Sequence, residues 1–376
     1  MCGGHGYFGR LLVEDLLARP GVELVIAGRR PLAQLPWSSE RVTYVRADQH
    51  DRSATGSALQ GCAVAVHAAG PYQGLAPTLL QFALERRIPY VDLADDLGFY
   101  REVLRSDAAA RTAGVPVVCG ASFFPGLSCA LVALLRPGFE RIHSVRIFAA
   151  PGTRSSRGRA TFESLLSGAG RPLHTPGTRR ARRGWSEPET IELPPPIGRR
   201  RTYLAIEVAD FEIVPRCFGA SAVEFRAGSE FSGLNRCLAG LAALRASLGF
   251  PRLERWHGFF SPAIRLLGLL GTEAGAGAVE VRGERGGRPT TEWLAILAPR
   301  AGPRIPALPA AIAARAILER RVEHTGVLAL HEALAPARLV GELEARGLEL
   351  WSRDAEGPWR RMTPVTDPSP DRETTR

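Results

Sequence analysis

Gly4-His5-Gly6-Tyr7-Phe8-Gly9, followed at once by Arg10-Leu11-Leu12-Val13, is the stretch whose reading decides the fold. It fits G-x-G-x-x-G and runs directly into an apolar helical run ending near Ala18. The first glycine of such a turn allows a tight bend, and the second lets backbone come close to a pyrophosphate. The third lets the helix pack against a sheet, while the helix N-terminus presents its amides to the phosphates. Gly4, Gly6, Tyr7, Phe8 and Gly9 are therefore the first candidate cofactor contacts. The strand that should precede the turn is short: Met1 to Gly3 stands where about five β residues are expected. The sequence reading is a Rossmann sheet whose first strand is truncated.

Working outward, β-branched and helical runs alternate. Val22–Ala27, Val42–Val45, Ala63–Ala69, Tyr90–Leu93 and Val115–Val118 read as strands. Leu75–Glu85 and Phe99–Thr112 read as helices. This rhythm predicts a doubly wound parallel sheet with crossover helices, an α/β fold. After Pro125-Gly126 it changes. Leu127–Leu135 reads as one more helix, and Ser144–Ala149, Thr202–Val208, Ala278–Gly283 and Glu292–Ala298 as strands joined by longer loops. The last two suit a hairpin. Arg171–Arg201, rich in Pro, Gly and Arg, reads as a solvated excursion. The expected organisation is a nucleotide-binding domain over 1–125 and an α+β domain with a mixed sheet over 126–305. C-terminal helices over 306–361 would pack back on the first domain, ahead of a polar tail at 362–376.

The second strand ends in Ala27-Gly28-Arg29-Arg30. An enzyme selective for NAD places a carboxylate there to bond the ribose 2′-hydroxyl, and a carboxylate would repel a 2′-phosphate. Two arginines can instead pair with that phosphate bidentately. Arg29 and Arg30 thus favour NADP over NAD. Ala69-Gly70-Pro71-Tyr72 follows the strand at Ala63–Ala69, at the carboxyl edge of the sheet where ligands bind in such folds. Small residues there let Ala69, Gly70 and Pro71 pass beside a cofactor.

Composition removes several alternatives. The chain has no lysine; its 48 basic residues are all arginine, and the net charge is +10. A Walker loop, a Schiff-base lysine and a Tyr-x-x-x-Lys pair are excluded. The arginines are scattered rather than clustered with aromatics, which argues against nucleic acid. The cysteines form no C-x-x-C pair, so no metal centre is expected, and a reduced, cytoplasmic chain is. No run of about 20 apolar residues suggests a spanning helix. Cys237–Leu248 and Phe259–Leu270, apolar with interspersed arginine, are read as a core helix pair, a lid, a homodimer surface or a membrane-surface contact.

Hydride transfer needs a proton donor beside the cofactor. Tyr72, Asp92, Asp95 and Asp96 lie at strand ends and are the candidate catalytic groups, although Asp95 and Asp96 equally suit helix caps. Crowded carboxylates raise one another's pKa, so one of them could stay protonated near neutrality. Ser128, and Ser156, Arg157 and Thr161 at another helix start, are candidate contacts to a small-molecule substrate.

Taken together, Gly3–Gly9, Ala27–Arg30, Ala69–Tyr72, Tyr90–Asp96 (YVDLADD) and Gly120–Ser128 (GASFFPGLS) resemble the saccharopine dehydrogenase-like oxidoreductases over roughly the first 130 residues. More weakly, Ser156–Thr161 resembles that family's Ser/Gly/Thr segment. The resemblance implies an N-terminal Rossmann domain, a second domain with a mixed sheet, and a cleft between them. In that cleft NAD(P) would exchange hydride with an imine or related double bond. A non-catalytic NADP sensor or scaffold, and a membrane-surface reductase of a lipid-like substrate, are the competing readings.

Overall fold

The computed structural model describes residues 1–30, 36–154, 166–249, 268–355 and 357–362. Two sheets organise it. The first is parallel. β1 (Leu24–Gly28) pairs with β2 (Val42–Arg46), and β3 (Ala65–His67), β4 (Tyr90–Asp92), β5 (Pro116–Val118) and β14 (Gly326–Leu328) follow in that spatial order. Met1–Gly3 fills the gap between the two sets. Cys2 bridges Ala27 on one side and His67 on the other, and backbone hydrogen bonds tie it to both. The central position expected of a longer strand is thus occupied by a very short one.

The crossover helices follow the apolar spacing. α1 (Tyr7–Leu17) buries Leu12, Val13 and Leu16. α2 (Arg52–Ala58) is capped by Asp51, whose side chain accepts from the amides of Ser53 and Ala54. α3 (Thr78–Glu85) buries Leu79, Leu80, Phe82 and Ala83. The single helix read over Phe99–Thr112 is instead two: α4 (Leu97–Leu104) and α5 (Asp107–Ala113), parted at Arg105-Ser106. Apolar periodicity runs through both and does not register the break.

The second sheet has eight strands in the order β16 (Arg360–Arg361), β15 (Glu349–Asp354), β13 (Arg288–Ala298), β12 (Gly275–Arg285), β6 (Arg141–Pro151), β11 (Ala222–Ala227), β10 (Gly198–Leu204), β9 (Ser186–Leu193). Only β6 and β11 pair in parallel; all other neighbours are antiparallel. Period-two alternation gives it two apolar faces. Val145, Ile147, Val279, Val281, Leu294, Ile296 and Phe225 join the main core with α6 (Ser128–Leu135) and the long helix Arg304–Leu318. On the opposite face Phe148 stacks on Trp293 at 5.1 Å, among Ile191, Leu193, Ile197 and Leu297. The sheet curls over that second face until its far strands meet: the Trp359 indole donates to the Glu192 carbonyl at 3.2 Å.

Here the reading of Arg171–Arg201 as a solvated excursion is corrected. The stretch contains the small ribbon β7 (Pro172–Leu173) and β8 (Arg182–Arg183), all of β9 and the start of β10. Arg179, Arg180 and Arg199 are exposed, but Arg182 is drawn into a cluster of glutamates centred on β6. Arg182, 10% exposed, pairs with Glu187 and Glu224, and Arg146 on β6 meets Glu189, Glu224 and the buried Glu280. Charge composition alone reads as exposure; cross-strand pairing turns it into an interior network.

Beyond residue 306 the expected helices are present, and they come with strands. Arg304–Leu318 packs on α1. β14 then extends the parallel sheet, and β15 and β16 extend the curled one, so the C-terminal segment stitches both sheets.

Candidate functional site

The glycine turn sits between the ends of β1 and β3. Gly6 is the N-cap of α1 in extended conformation and offers no capping side chain, so no side chain covers the first-turn amides from that position. Gly9 lies on the first turn, and a Cβ there would fall 2.2 Å from the Gly3 carbonyl oxygen, inside the bend itself. Only glycine lets helix and turn pack this closely. A Cβ on Gly3 would fall 2.7 Å from the Ala69 nitrogen, so the loop carrying Ala69, Gly70 and Pro71 lies against the turn. The segments read separately in the sequence form one continuous backbone surface. Tyr7 and Phe8 stand edge-to-face at 5.3 Å at the head of α1, and Phe8 leans on the core.

At the end of β1 the geometry is tighter. A Cβ on Gly28 would meet the His5 ring at 2.5 Å and the Tyr44 hydroxyl at 2.7 Å. The position that would carry a carboxylate in an NAD enzyme is glycine, and a side chain there would have to displace the His5 and Tyr44 rings. Arg29 and Arg30 follow, exposed, and neither makes an ion pair among the described residues. Tyr44 donates to the Arg30 carbonyl at 2.5 Å and so fixes the chain as it leaves the strand. The cradle of small residues and the free cationic edge fit a dinucleotide with a 2′-phosphate. His5 and Tyr44 were not singled out from the sequence. His5 occupies a variable position of the motif, and Tyr44 reads only as an apolar strand residue.

The candidate chemical groups gather at the carboxyl ends of β3, β4 and β5. Asp92 is fully buried; one carboxylate oxygen accepts from the amides of Ala94 at 2.9 Å and Gly120 at 2.7 Å. It thereby fastens the β4 loop to the β5 loop. Burial raises its pKa to about 6, against the lowering effect of those amides. Tyr72 is buried too. Its hydroxyl donates to the His67 carbonyl at 2.7 Å, accepts weakly from the Leu93 amide and packs beside Phe99. His67, held at 3.0 Å from the Tyr90 hydroxyl, is pushed down to about 4 by burial. Asp96 caps α4, accepting from the Phe99 amide at 2.8 Å. The cap reading of Asp96 is thus realised, and Asp95 stands apart from it. Burial, then the neighbouring Asp96 charge, raises Asp95 to about 7. Crowding contributes, but loss of water is the larger cause.

Asp95 has a companion that the sequence did not reveal. The Ala209 amide donates to the Asp95 carbonyl at 3.2 Å, and Asp96 bridges Val208. This docks the start of α7 (Asp210–Phe218) onto the β4 loop. Asp210 is fully buried. One oxygen accepts from the Ser128 hydroxyl, and the other has no hydrogen-bond partner among the described residues. Burial raises its pKa to about 7, with Asp95 adding to the effect. Ser128, read as a substrate contact, is itself wholly buried and is engaged with Asp210 and the Pro125 carbonyl. Ser156, Arg157 and Thr161 lie outside the described residues. Among those described, Asp92, Asp95, Asp96 and Asp210 form no salt bridge, in a chain of 48 arginines.

One Cys/His/Glu group, Cys217, His331 and Glu332, has donor atoms within 4.8 Å of one another. Glu332 is already committed there: it accepts from the Ala329 amide and faces Arg216 at 3.6 Å. No described helix is long and apolar enough to cross a membrane.

Residues 1–118 match the family model described as the saccharopine dehydrogenase NADP binding domain. The N-terminal region is therefore similar to the NADP-binding domain of that oxidoreductase family, as the motif resemblance implied. No curated relative matches the chain. Solved structures of similar path include the DAP dehydrogenase of C. glutamicum in complex with DAP, 18% identical over 91% of this chain and 96% of that one, TM-score 0.46. The amine dehydrogenase of Mycobacterium smegmatis is 14% identical over 89% of this chain and 94% of its own, TM-score 0.48. An engineered D-amino acid dehydrogenase bound to NADP+ is 16% identical over 91% and 96%, TM-score 0.47.

Proposed function

We propose that the chain is an NADP-dependent oxidoreductase. It would exchange hydride with an imine or related double bond of a small molecule, in the cleft between the nucleotide-binding region (1–125) and the α+β region (126–305). The observation that carries this reading is the end of β1, where Gly28 offers no carboxylate while Arg29 and Arg30 make no ion pair among the described residues and stand beside the glycine turn. Backbone of Gly4, Gly6, Tyr7, Phe8 and Gly9 would hold the pyrophosphate. Arg29 and Arg30 would hold the 2′-phosphate, and Ala69, Gly70 and Pro71 the nicotinamide end.

When bound, the nicotinamide supplies or accepts the hydride. The remaining chemistry belongs to the chain. Asp95 and Asp210 have pKa values near neutrality, so each can hold a proton at working pH and release it to a nitrogen or carbanion. Ser128 orients Asp210, Asp92 fastens the loops on which Asp95 and Gly120 stand, and Tyr72 braces the loop after β3. Asp92 and Tyr72 thus act by positioning. Ser156, Arg157 and Thr161 complete the proposed substrate contacts.

The test combines binding and turnover. Tryptophan fluorescence should report NADP binding, and NADPH absorbance should fall on mixing with a member of an imine, enone and keto-acid/amine panel. Asp95→Asn should lower turnover about 100-fold, as loss of a general acid does, while leaving NADP affinity unchanged. Tight binding with no turnover across the panel would sink the enzyme reading and favour a sensor.

A second reading, contact with a membrane surface, is supported by Leu248, Leu269 and Leu270, exposed by 63%, 66% and 77%. Flotation with anionic vesicles tests it; protein that stays at the bottom of the gradient would end it.

A further inference from the structure

We propose that His5 senses the 2′-phosphate, so that the preference of this chain for NADP over NAD depends on pH. The inference rests on the NADP reading and deepens it.

The imidazole lies where that discrimination is made. It sits against Gly28, which it would strike at 2.5 Å if that residue had a Cβ, and meets the Tyr44 ring edge-on at 6.3 Å. Tyr44 in turn holds the Arg30 carbonyl. The ring is thereby confined between the glycine turn and the end of β1. Its Nδ1 is buried and has no hydrogen-bond partner among the described residues. The charged groups that act on it are all cationic: Arg10 from α1, whose guanidinium donates to the His5 carbonyl at 3.1 Å, and Arg29 and Arg30 from the strand end. Tyr44 is the titratable group facing it from β2. Burial first, then these three arginines, lowers its pKa below the ordinary histidine value.

An imidazole so placed is neutral near pH 7 when no ligand is present. A phosphate dianion set among Arg29, Arg30 and His5 reverses the balance, because it offsets the arginines and gives an imidazolium proton a partner. NADP binding then takes up a proton at His5. NAD brings no such charge and takes up none. By linkage, NADP affinity rises relative to NAD as pH falls from 8 toward 6.5. The phosphate's own protonation near pH ~6 acts in the opposite direction, and it does so whether or not residue 5 is histidine.

The experiment measures dissociation constants of NADP and NAD at pH 6.5 and 8 for the native chain and for His5→Gln. In the native protein the ratio of NAD to NADP constants should be about two- to fourfold larger at pH 6.5 than at pH 8. This follows from a pKa raised by about one unit on binding. In His5→Gln the ratio should not rise. Proton NMR of the native chain supplies a readout free of any variant: NADP, but not NAD, should raise the titration midpoint of the His5 Cε1 signal. Binding of NADP with an equal ratio at both pH values and an unmoved His5 midpoint would overturn the inference while leaving the NADP reading intact. If neither dinucleotide binds the native chain, the NADP reading falls and the inference with it.

Discussion

At the end of β1, Arg29 and Arg30 are exposed and unpaired, whereas on the curled sheet Arg146, Arg182 and Arg226 are 13%, 10% and 4% exposed, each facing at least two glutamates. The residue type is the same, and what differs is the geometry around it. A guanidinium enclosed by carboxylates belongs to the architecture and has no capacity left for a ligand. One left facing solvent beside a backbone cradle keeps its full capacity to pair with an incoming anion. Exposure without an ion pair is not enough by itself, since Arg87, Arg288 and Arg338 share it among the described residues; the backbone cradle beside Arg29 and Arg30 is what marks the candidate site.

Breaking the architectural side should produce the largest effect. Arg146→Met removes the one cation shared by Glu189, Glu224 and the buried Glu280. Glu280 retains only the half-exposed Arg282. Leaving a buried charge so poorly compensated costs about 3–5 kcal/mol. Urea unfolding should reveal that loss, while NADP affinity of the folded fraction stays within about twofold of native, since the proposed cofactor contacts belong to the other sheet. An equal loss of NADP affinity would show that the two arginine populations are not separate.

The converse substitution touches the ligand side alone. Arg29→Gln with Arg30→Gln should weaken NADP binding about 10- to 100-fold, the range of one or two charge-assisted contacts of about 1.5–3 kcal/mol. NAD binding and the unfolding midpoint should barely move, because these side chains support nothing else. Isothermal titration with both cofactors checks this. Parallel losses for NADP and NAD would mean that the arginines serve the pyrophosphate and do not read the 2′ position.

The same contrast explains what was legible in the sequence. The glycine turn, the strand rhythm and Arg29-Arg30 are local signals: a backbone close approach or a β-branched run is written in adjacent residues. The network around Arg146 is not local. Its partners come from β9, β11 and β12, and nothing near Arg182 indicates that Glu224, 42 residues on, would share its charge. At the site, Asp92 and Asp95 were visible because they close a strand within a recognisable motif. Asp210 was invisible because its proximity to Asp95 arises from long-range docking of α7. His5 was overlooked for a different reason: attention falls on the glycines of the motif, and its variable positions carry no fixed residue type to notice.

Asp210 gives the smallest expected effect and the sharpest test of the acidic cluster. Its pKa lies above the unfolded value of 3.8, at about 7, chiefly because it is buried. The folded state therefore binds more protons than the unfolded state between pH 4 and 7, and stability should fall as pH rises through that window. Asp210→Asn imitates the protonated form and keeps an oxygen for the Ser128 hydroxyl. It should be about as stable as the native chain at pH 5 and more stable by roughly 1–3 kcal/mol at pH 8. The gain should be specific to this cluster: Asp96→Asn removes a charge from an Asp that caps α4 and should instead cost about 1 kcal/mol at both pH values. Denaturant melts at the two pH values separate the cases. A pH-independent effect at Asp210 would show that its carboxyl is ionised at little cost, and would remove it from the proposed proton-holding pair.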